Sequence, residues 1–359
     1  MKKSLIALAV LAASGAAMAQ SSVTLFGIVD ANFGYVNHAN PAGDAKYGIG
    51  TSGNATSRLG LRGTEDLGGG LKAGFWLEGE LFNDAGNPSG LDFKRESTVR
   101  LGGNFGEVRL GRELVPTYRK VSSYDVFGQV GIGMFRGWSN WANVPGTGTN
   151  VTTADADGYR ASNIISYYSP NIAGFTAGAG YGFDEQTSGK NGRYIGAFGA
   201  YDNGPLSVAL SYDRRNIAGT LGGPVTGTKD NLTVGASYNL NVVKLGTLLQ
   251  QAKYKVDGFG GSEKFNSYAL NVTAPVGAGE VKAQYVMYDQ KAISSKAHQF
   301  AVGYVHNLSK RTAVYGTLAF LKNKDASTMG LAAKGVSNND NPGIGNSQTG
   351  LQLGIRHAF

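Results

Sequence analysis

Residues 23–35 alternate between two faces. Val23, Leu25, Gly27, Val29, Ala31, Phe33 and Tyr35 share one, while Thr24, Asp30 and Asn32 lie on the other. A side-chain period of two predicts an extended strand, and this one is longer than the usual strand of a soluble protein. The pattern recurs. In residues 71–82, Leu71, Ala73, Phe75, Leu77 and Leu81 oppose Lys72, Trp76, Glu78 and Glu80. Leu232, Val234, Ala236 and Tyr238 repeat it, as do Tyr268, Leu270, Val272 and Ala274. Val281, Ala283, Tyr285 and Met287 follow, and the chain closes on Leu351, Leu353, Ile355, His357 and Phe359.

Two kinds of connection separate these runs. Short Gly/Asn/Pro turns fall at 67–70, 102–106, 169–173, 202–205, 239–241, 275–279 and 307–311, with residues that supply a positive or preset φ. Longer polar loops fall at 37–56, 83–92, 113–158, 184–193, 213–229, 257–264, 289–296 and 322–348. Seven turns and eight loops imply sixteen strands. Short turns at one end, long loops at the other and an even count predict an all-β fold, a transmembrane 16-stranded antiparallel β-barrel. Closure satisfies every backbone group inside lipid, which an open sheet does not. A barrel of this size is too wide for its side chains to fill, so it holds an aqueous channel. A soluble β-sandwich would need shorter strands and polar outer faces.

One stretch resists the pattern. Residues 113–158 carry Tyr118, Tyr124, Phe127, Phe135, Trp138 and Trp141, with glycines at 128, 131, 133 and 137. A loop this long inside a compact domain is functional or disordered, and its aromatic content argues against disorder. It is expected to fold into the lumen and narrow it.

Composition adds compartment and strengthens the all-β reading. Lys2 and Lys3, a short apolar run and Ala17-Met18-Ala19 read as a secretory signal peptide over residues 1–19. Its removal leaves residues 20–359 as a single barrel domain and lowers the formal charge from +8 by two lysines. No later segment is long and apolar enough for a transmembrane helix. Glycine numbers 55 of 359 residues, about twice its usual share, and cysteine is absent although export leads to a disulfide-permissive compartment. The fold therefore holds without disulfides. The basic balance points to anionic partners, and export argues against nucleic acid.

With strands and turns assigned, the chain resembles the trimeric general diffusion porins of Gram-negative bacteria. It is most similar to the betaproteobacterial branch of Neisseria, Bordetella, Burkholderia and Comamonas relatives. Ser21-Ser22-Val23-Thr24-Leu25-Phe26-Gly27 resembles the opening strand of that branch, and residues 57–70, Ser57-Arg58-Leu59 through Gly70, its second strand and first turn. Asn104-Phe105-Gly106 and Leu110-Gly111-Arg112 lead toward its third loop, Asn307-Leu308-Ser309-Lys310-Arg311-Thr312 resembles its last short turn, and Gly354 to Phe359 its closing strand. The resemblance implies a homotrimer in the outer membrane, in contact with outer-membrane lipid and lipopolysaccharide. It also implies a terminal Phe359 read as a signal by the outer-membrane assembly machinery.

A diffusion pore needs no nucleophile; it needs fixed charges near a passing ion. Rings of Arg or Lys favour anions, and arginine stays ionised at any working pH. The lumen acid Glu78, on the polar face of the third strand, points inward by the alternation itself, and the resemblance places wall arginines at Arg58, at Arg95 and at Arg160. On the loop it marks Tyr118 and the constriction acid Asp125, and Arg119 and Lys120 add positive charge there. Ile28 stands where some porins place a first-strand lysine. Over the whole of 113–158, three cations meet four acids, so any bias depends on where they sit. The run Lys94-Arg95-Glu96-Ser97-Thr98-Val99-Arg100 has charges on both faces if alternation is strict, which predicts a subunit contact near strands one to five.

Catalytic and metal readings find little. His38, His298, His306 and His357 accompany no nucleophile motif, and no His/Cys cluster has zinc spacing. The weak divalent-ion candidate Asp155-Ala156-Asp157 reads better as a solvated loop tip, and no cofactor or enzyme activity is expected. The expected function is a passive, anion-favouring channel for small anions and hydrophilic solutes. The alternatives are a substrate-specific organic-anion channel and a surface adhesin on a barrel scaffold.

Overall fold

The computed structural model describes residues 22–87, 90–138, 159–220, 224–258, 261–291, 294–338 and 340–359. The signal-peptide segment, Trp141 and Asp155-Ala156-Asp157 lie outside the described residues. Strands are numbered by barrel position. They are β1 Ser22–Val36, β2 in two pieces, Lys46–Thr51 and Arg58–Gly68, β3 Leu71–Glu80, β4 Glu96–Gly103, β5 Gly106–Leu114, β6 Arg160–Tyr168, β7 Phe175–Gly182 and β8 Tyr194–Asn203. The second half comprises β9 Leu206–Thr220, β10 Pro224–Asn239, β11 Lys244–Val256, β12 Glu263–Val276, β13 Gly279–Gln290, β14 Ser295–Asn307, β15 Thr312–Asp325 and β16 Ser347–Ala358.

Each strand pairs antiparallel with the next, and β1 pairs with β16 from Ile28↔Ala358 to Val36↔Gly350, so the sheet closes. The lower half of β1 pairs with Arg58–Gly68 and the upper half with Lys46–Thr51, which makes the two pieces of β2 one barrel position. Sixteen positions result, as the turns and loops predicted.

Outer faces are apolar, with Val23 66% exposed, Leu270 65% and Phe300 51%, which is tolerable only against lipid or another subunit. Inner faces carry Asp30, Ser211, Asn231, Gln250, Gln284, Gln299 and Gln352, all buried.

Two expected loops are partly strand. Residues 213–229 are mostly a continuous hairpin in register from Leu206↔Tyr238 to Thr220↔Pro224. Within 37–56, Lys46–Thr51 continues the ladder on β1. Polar composition marked these segments as loops, yet backbone pairing needs no apolar side chain once the hairpin stands clear of the bilayer.

The charges of the run 94–100 also differ from strict alternation. Arg95 sits in a bend before β4, so its side chain turns inward to Glu78, and Glu96, Thr98 and Arg100 follow on the lumen face. Val99 and Leu101 face outward. Strand β4 thus presents no outward charge for a subunit contact to shield, contrary to the expectation from strict alternation.

Candidate pore constriction

Pro116 ends β5, because it has no N–H to give the ladder, and opens a one-turn helix, α1 Pro116–Val121. From there to Trp138 the chain lies inside the barrel. Tyr118, Val121, Tyr124, Phe127, Ile132, Phe135 and Trp138 are buried in one cluster. Tyr118 stacks on Tyr159 at 4.7 Å and meets Trp138 edge-on at 4.9 Å.

The inner wall of β8–β16 is built to receive this loop. Thr117 donates to Asp213 at 2.9 Å, and the hydroxyls of Tyr124 and Ser207 meet at 2.8 Å. Asn271 donates to the Tyr124 carbonyl, Gln284 to that of Gly133 and Gln299 to those of Ile132 and Met134, while Gln352 accepts from the Ile132 amide. A Cβ at Gly235 would overlap the Tyr124 ring. Carboxamides thus answer the backbone groups of the part of the loop that, beyond Tyr124, runs inside the barrel without regular structure.

Asp125 is corrected by the structure. It is 3% exposed and accepts from the amides of Phe127, Gln129 and Phe135 and from the Gln129 side chain, at 2.7–3.2 Å. Burial pushes its pKa above the ordinary aspartate value, and those amides pull it only part of the way back. Its charge is spent within the loop and is not presented to the lumen.

The loop cations are also committed. Arg119 bridges Glu96 at 3.1 Å and Glu113 at 3.0 Å, and Lys120 bridges Asp202 at 2.8 Å. Burial works against the charge of Arg119, but Tyr168, Glu96 and Glu113 outweigh it and raise its pKa above the usual guanidinium value. Their expected surplus of positive charge is therefore cancelled locally.

The opposite wall is different. Asp30, fully buried, accepts the amides of Gly53, Asn54 and Ala55 at 2.7–3.1 Å. This folds residues 52–57 out of the ladder and starts the lower piece of β2 at Arg58. Ile28 stands directly beside it in the register. Arg58 interacts electrostatically with Glu78 and Arg95. Arg95 bonds Glu78 at 2.6 Å, Arg160 donates to the Arg95 carbonyl at 2.9 Å, and Arg215 donates to the Arg160 carbonyl at 2.6 Å. The structure thus brings Arg58, Arg95 and Arg160 together, with Glu78 among them. Arg160 is 4% exposed and its guanidinium lies 5.0 Å from the Tyr159 ring.

Three cations were not singled out in the sequence as site residues. Arg215 was hidden in an expected loop, although its spacing from Asp213 and Ser211 marks an inward face. Arg136 bonds the Gly330 carbonyl. Lys334 bridges Glu80 at 2.6 Å from the last long loop, whose Met329, Leu331, Ala333 and Val336 join the buried cluster. The run Met329-Gly330-Leu331-Ala332-Ala333, apolar within a polar loop, was the available signal.

This geometry has counterparts in known proteins. A family model described as Gram-negative porin matches residues 5–326. The chain is a Gram-negative porin. It is similar to outer membrane porin protein 32 of Delftia acidovorans, at 65% identity over the whole of both chains. An outer membrane porin protein of Bordetella pertussis is 34% identical over 90% of this porin and 95% of its own length. Among solved structures, the anion-selective porin from Comamonas acidovorans superposes with a TM-score of 0.87 at 61% identity, covering 95% of this porin and all of that chain. The barrel places this porin in the outer membrane, and its relatives are channels rather than enzymes.

Proposed function

We propose that this porin forms a water-filled channel for passive diffusion of ions and small hydrophilic solutes, and that the channel favours anions. The observation that carries the reading is the wall cluster. Arg58 and Arg95 face Glu78 and Arg160 donates to the Arg95 carbonyl, while Arg119 and Lys120 are bridged to Glu96, Glu113 and Asp202 and Asp125 is hydrogen-bonded within the loop. Two unit charges 4 Å apart interact by about 1 kcal/mol in water and about 4 kcal/mol where protein walls lower the effective dielectric. A passing anion therefore gains where a cation loses. The Comamonas relative, named as anion-selective, supports the same sign.

In this reading residues 1–19 are removed on export, Phe359 serves as the assembly signal, and the mature barrels associate as homotrimers amid lipid and lipopolysaccharide. Reversal potential in a potassium chloride gradient across a planar bilayer tests the selectivity. The wild type should favour chloride, and Arg58→Ala, Arg95→Ala and Arg160→Ala should each move the potential toward cations. Unmoved potentials would reject the site assignment. Block of the current by one organic acid at low concentration would favour a substrate-specific channel.

A further inference from the structure

At the seam where the barrel closes, one tyrosine reaches across a whole strand. Tyr315 of β15 is 6% exposed, and its hydroxyl donates to the carboxylate of Asp30 on β1. Strand β16 lies between the two, paired with β15 on one side and with β1 on the other. Gly354 of β16 is the register partner of both Tyr315 and Asn32, and a Cβ there would overlap the Tyr315 ring. Glycine inside a strand marks a close approach of this kind. A second glycine, Gly53, faces the hydroxyl itself, and a Cβ there would overlap the Tyr315 oxygen. Two missing side chains thus admit one hydroxyl to one carboxylate.

The work of that carboxylate gives the contact its meaning. It holds the amides of Gly53, Asn54 and Ala55, all three from the bulge that precedes Arg58. Among the described residues, Tyr315 is the one partner of the Asp30 side chain from outside that bulge. The backbone of Asp30 holds the next residue along: its amide donates to the Ser57 hydroxyl at 2.9 Å, and that hydroxyl donates to the Asp30 carbonyl at 3.1 Å. Ser57 is fully buried and directly precedes Arg58. The inward loop closes on the same spot. A Cβ at Gly131 would overlap the Gly53 carbonyl, the Ile132 amide donates to Gln352, and Gln352 donates to Asn32 at 3.1 Å. The seam therefore ties the arginine wall and the loop opposite it into one hydrogen-bonded layer.

We propose that Tyr315 is a positioning residue for ion selectivity: by anchoring the Asp30 carboxylate it fixes the bulge, and with it the place of Arg58. The inference rests on the arginine reading of the filter. The interaction of Arg58 with a passing anion falls with distance, so a bulge that drifts weakens it without any charge being lost. A tyrosine that only filled the seam would act through its ring and would not need its hydroxyl.

Tyr315→Phe keeps the ring and removes that hydroxyl alone, and reversal potential in a potassium chloride gradient reads the result. The potential should move toward cations by part of the shift that Arg58→Ala produces. Added to Arg58→Ala, the same substitution should move it no further. Gly53→Ala presses on the same bond from the bulge and should shift the potential in the same direction; it serves as the test if Tyr315→Phe does not assemble. Unchanged selectivity in the assembled variants, even with lowered thermal stability, would overturn the proposal. So would a shift that adds in full to that of Arg58→Ala. A shift in Arg58→Ala without one in Tyr315→Phe rejects the positioning role alone, whereas an unmoved potential in Arg58→Ala rejects the arginine filter and this role together.

Discussion

At the scale of single residues, position in the fold decides what a charge does. Asp125 and Glu78 are both acids in the lumen region, yet one ties a loop to itself and the other sits among arginines. Removing Asp125 leaves buried amides without an acceptor, at roughly 1–3 kcal/mol for each. Asp125→Ala is therefore expected to loosen the loop, giving larger and noisier single-channel conductance with little change in selectivity. A selectivity shift without a conductance change would contradict this assignment. Arg58 depends on its neighbour Asp30, whose carboxylate shapes the bulge that precedes it. Asp30→Ala should displace Arg58 and move the reversal potential toward cations, although Asp30 itself is an acid. Simple charge removal would move it the other way.

At the scale of elements, alternation made the strands legible, because inside a bilayer one face must be apolar and the other need not be. It failed where that constraint lapses. The hairpin through Thr220 and Pro224 and the piece Lys46–Thr51 stand among polar residues, and only their pairing reveals them. The wall arginines were legible through resemblance, whereas the pairing of Arg119 with Glu96 and of Lys120 with Asp202 was not, since strands far apart in sequence supply those acids. The seat of the loop was also invisible. Asn271, Gln284, Gln299 and Gln352 read as ordinary lumen residues until the loop is laid on them. Gly235 is part of that seat, and Gly235→Val would drive a branched side chain into the Tyr124 ring. Overpacking of this kind costs about 1–3 kcal/mol. The barrel should still assemble, and protease cleavage within the loop should become faster than in the wild type.

At the scale of the whole molecule, the barrel divides its labour between two sides. β8–β16 hold the inward loop by hydrogen bonds and apolar contacts, and the wall from β2 to β6 faces it with Arg58, Arg95 and Arg160. Because the wall cations are arginines, they stay protonated across the working range. Anion preference should then be flat from about pH 6 to about pH 9; a preference that fell through the histidine range would point to a different filter. In the proposed function the three wall arginines, and not net charge in general, set the sign of selectivity. The reversal potential of the triple variant Arg58→Ala, Arg95→Ala, Arg160→Ala in a potassium chloride gradient is the measurement, against a control in which the exposed lysines Lys253, Lys264 and Lys296 are each replaced by Gln. The triple variant should lose its preference for chloride while the control keeps it. A triple variant that stayed as anion-selective as the wild type would show that these arginines do not set the sign.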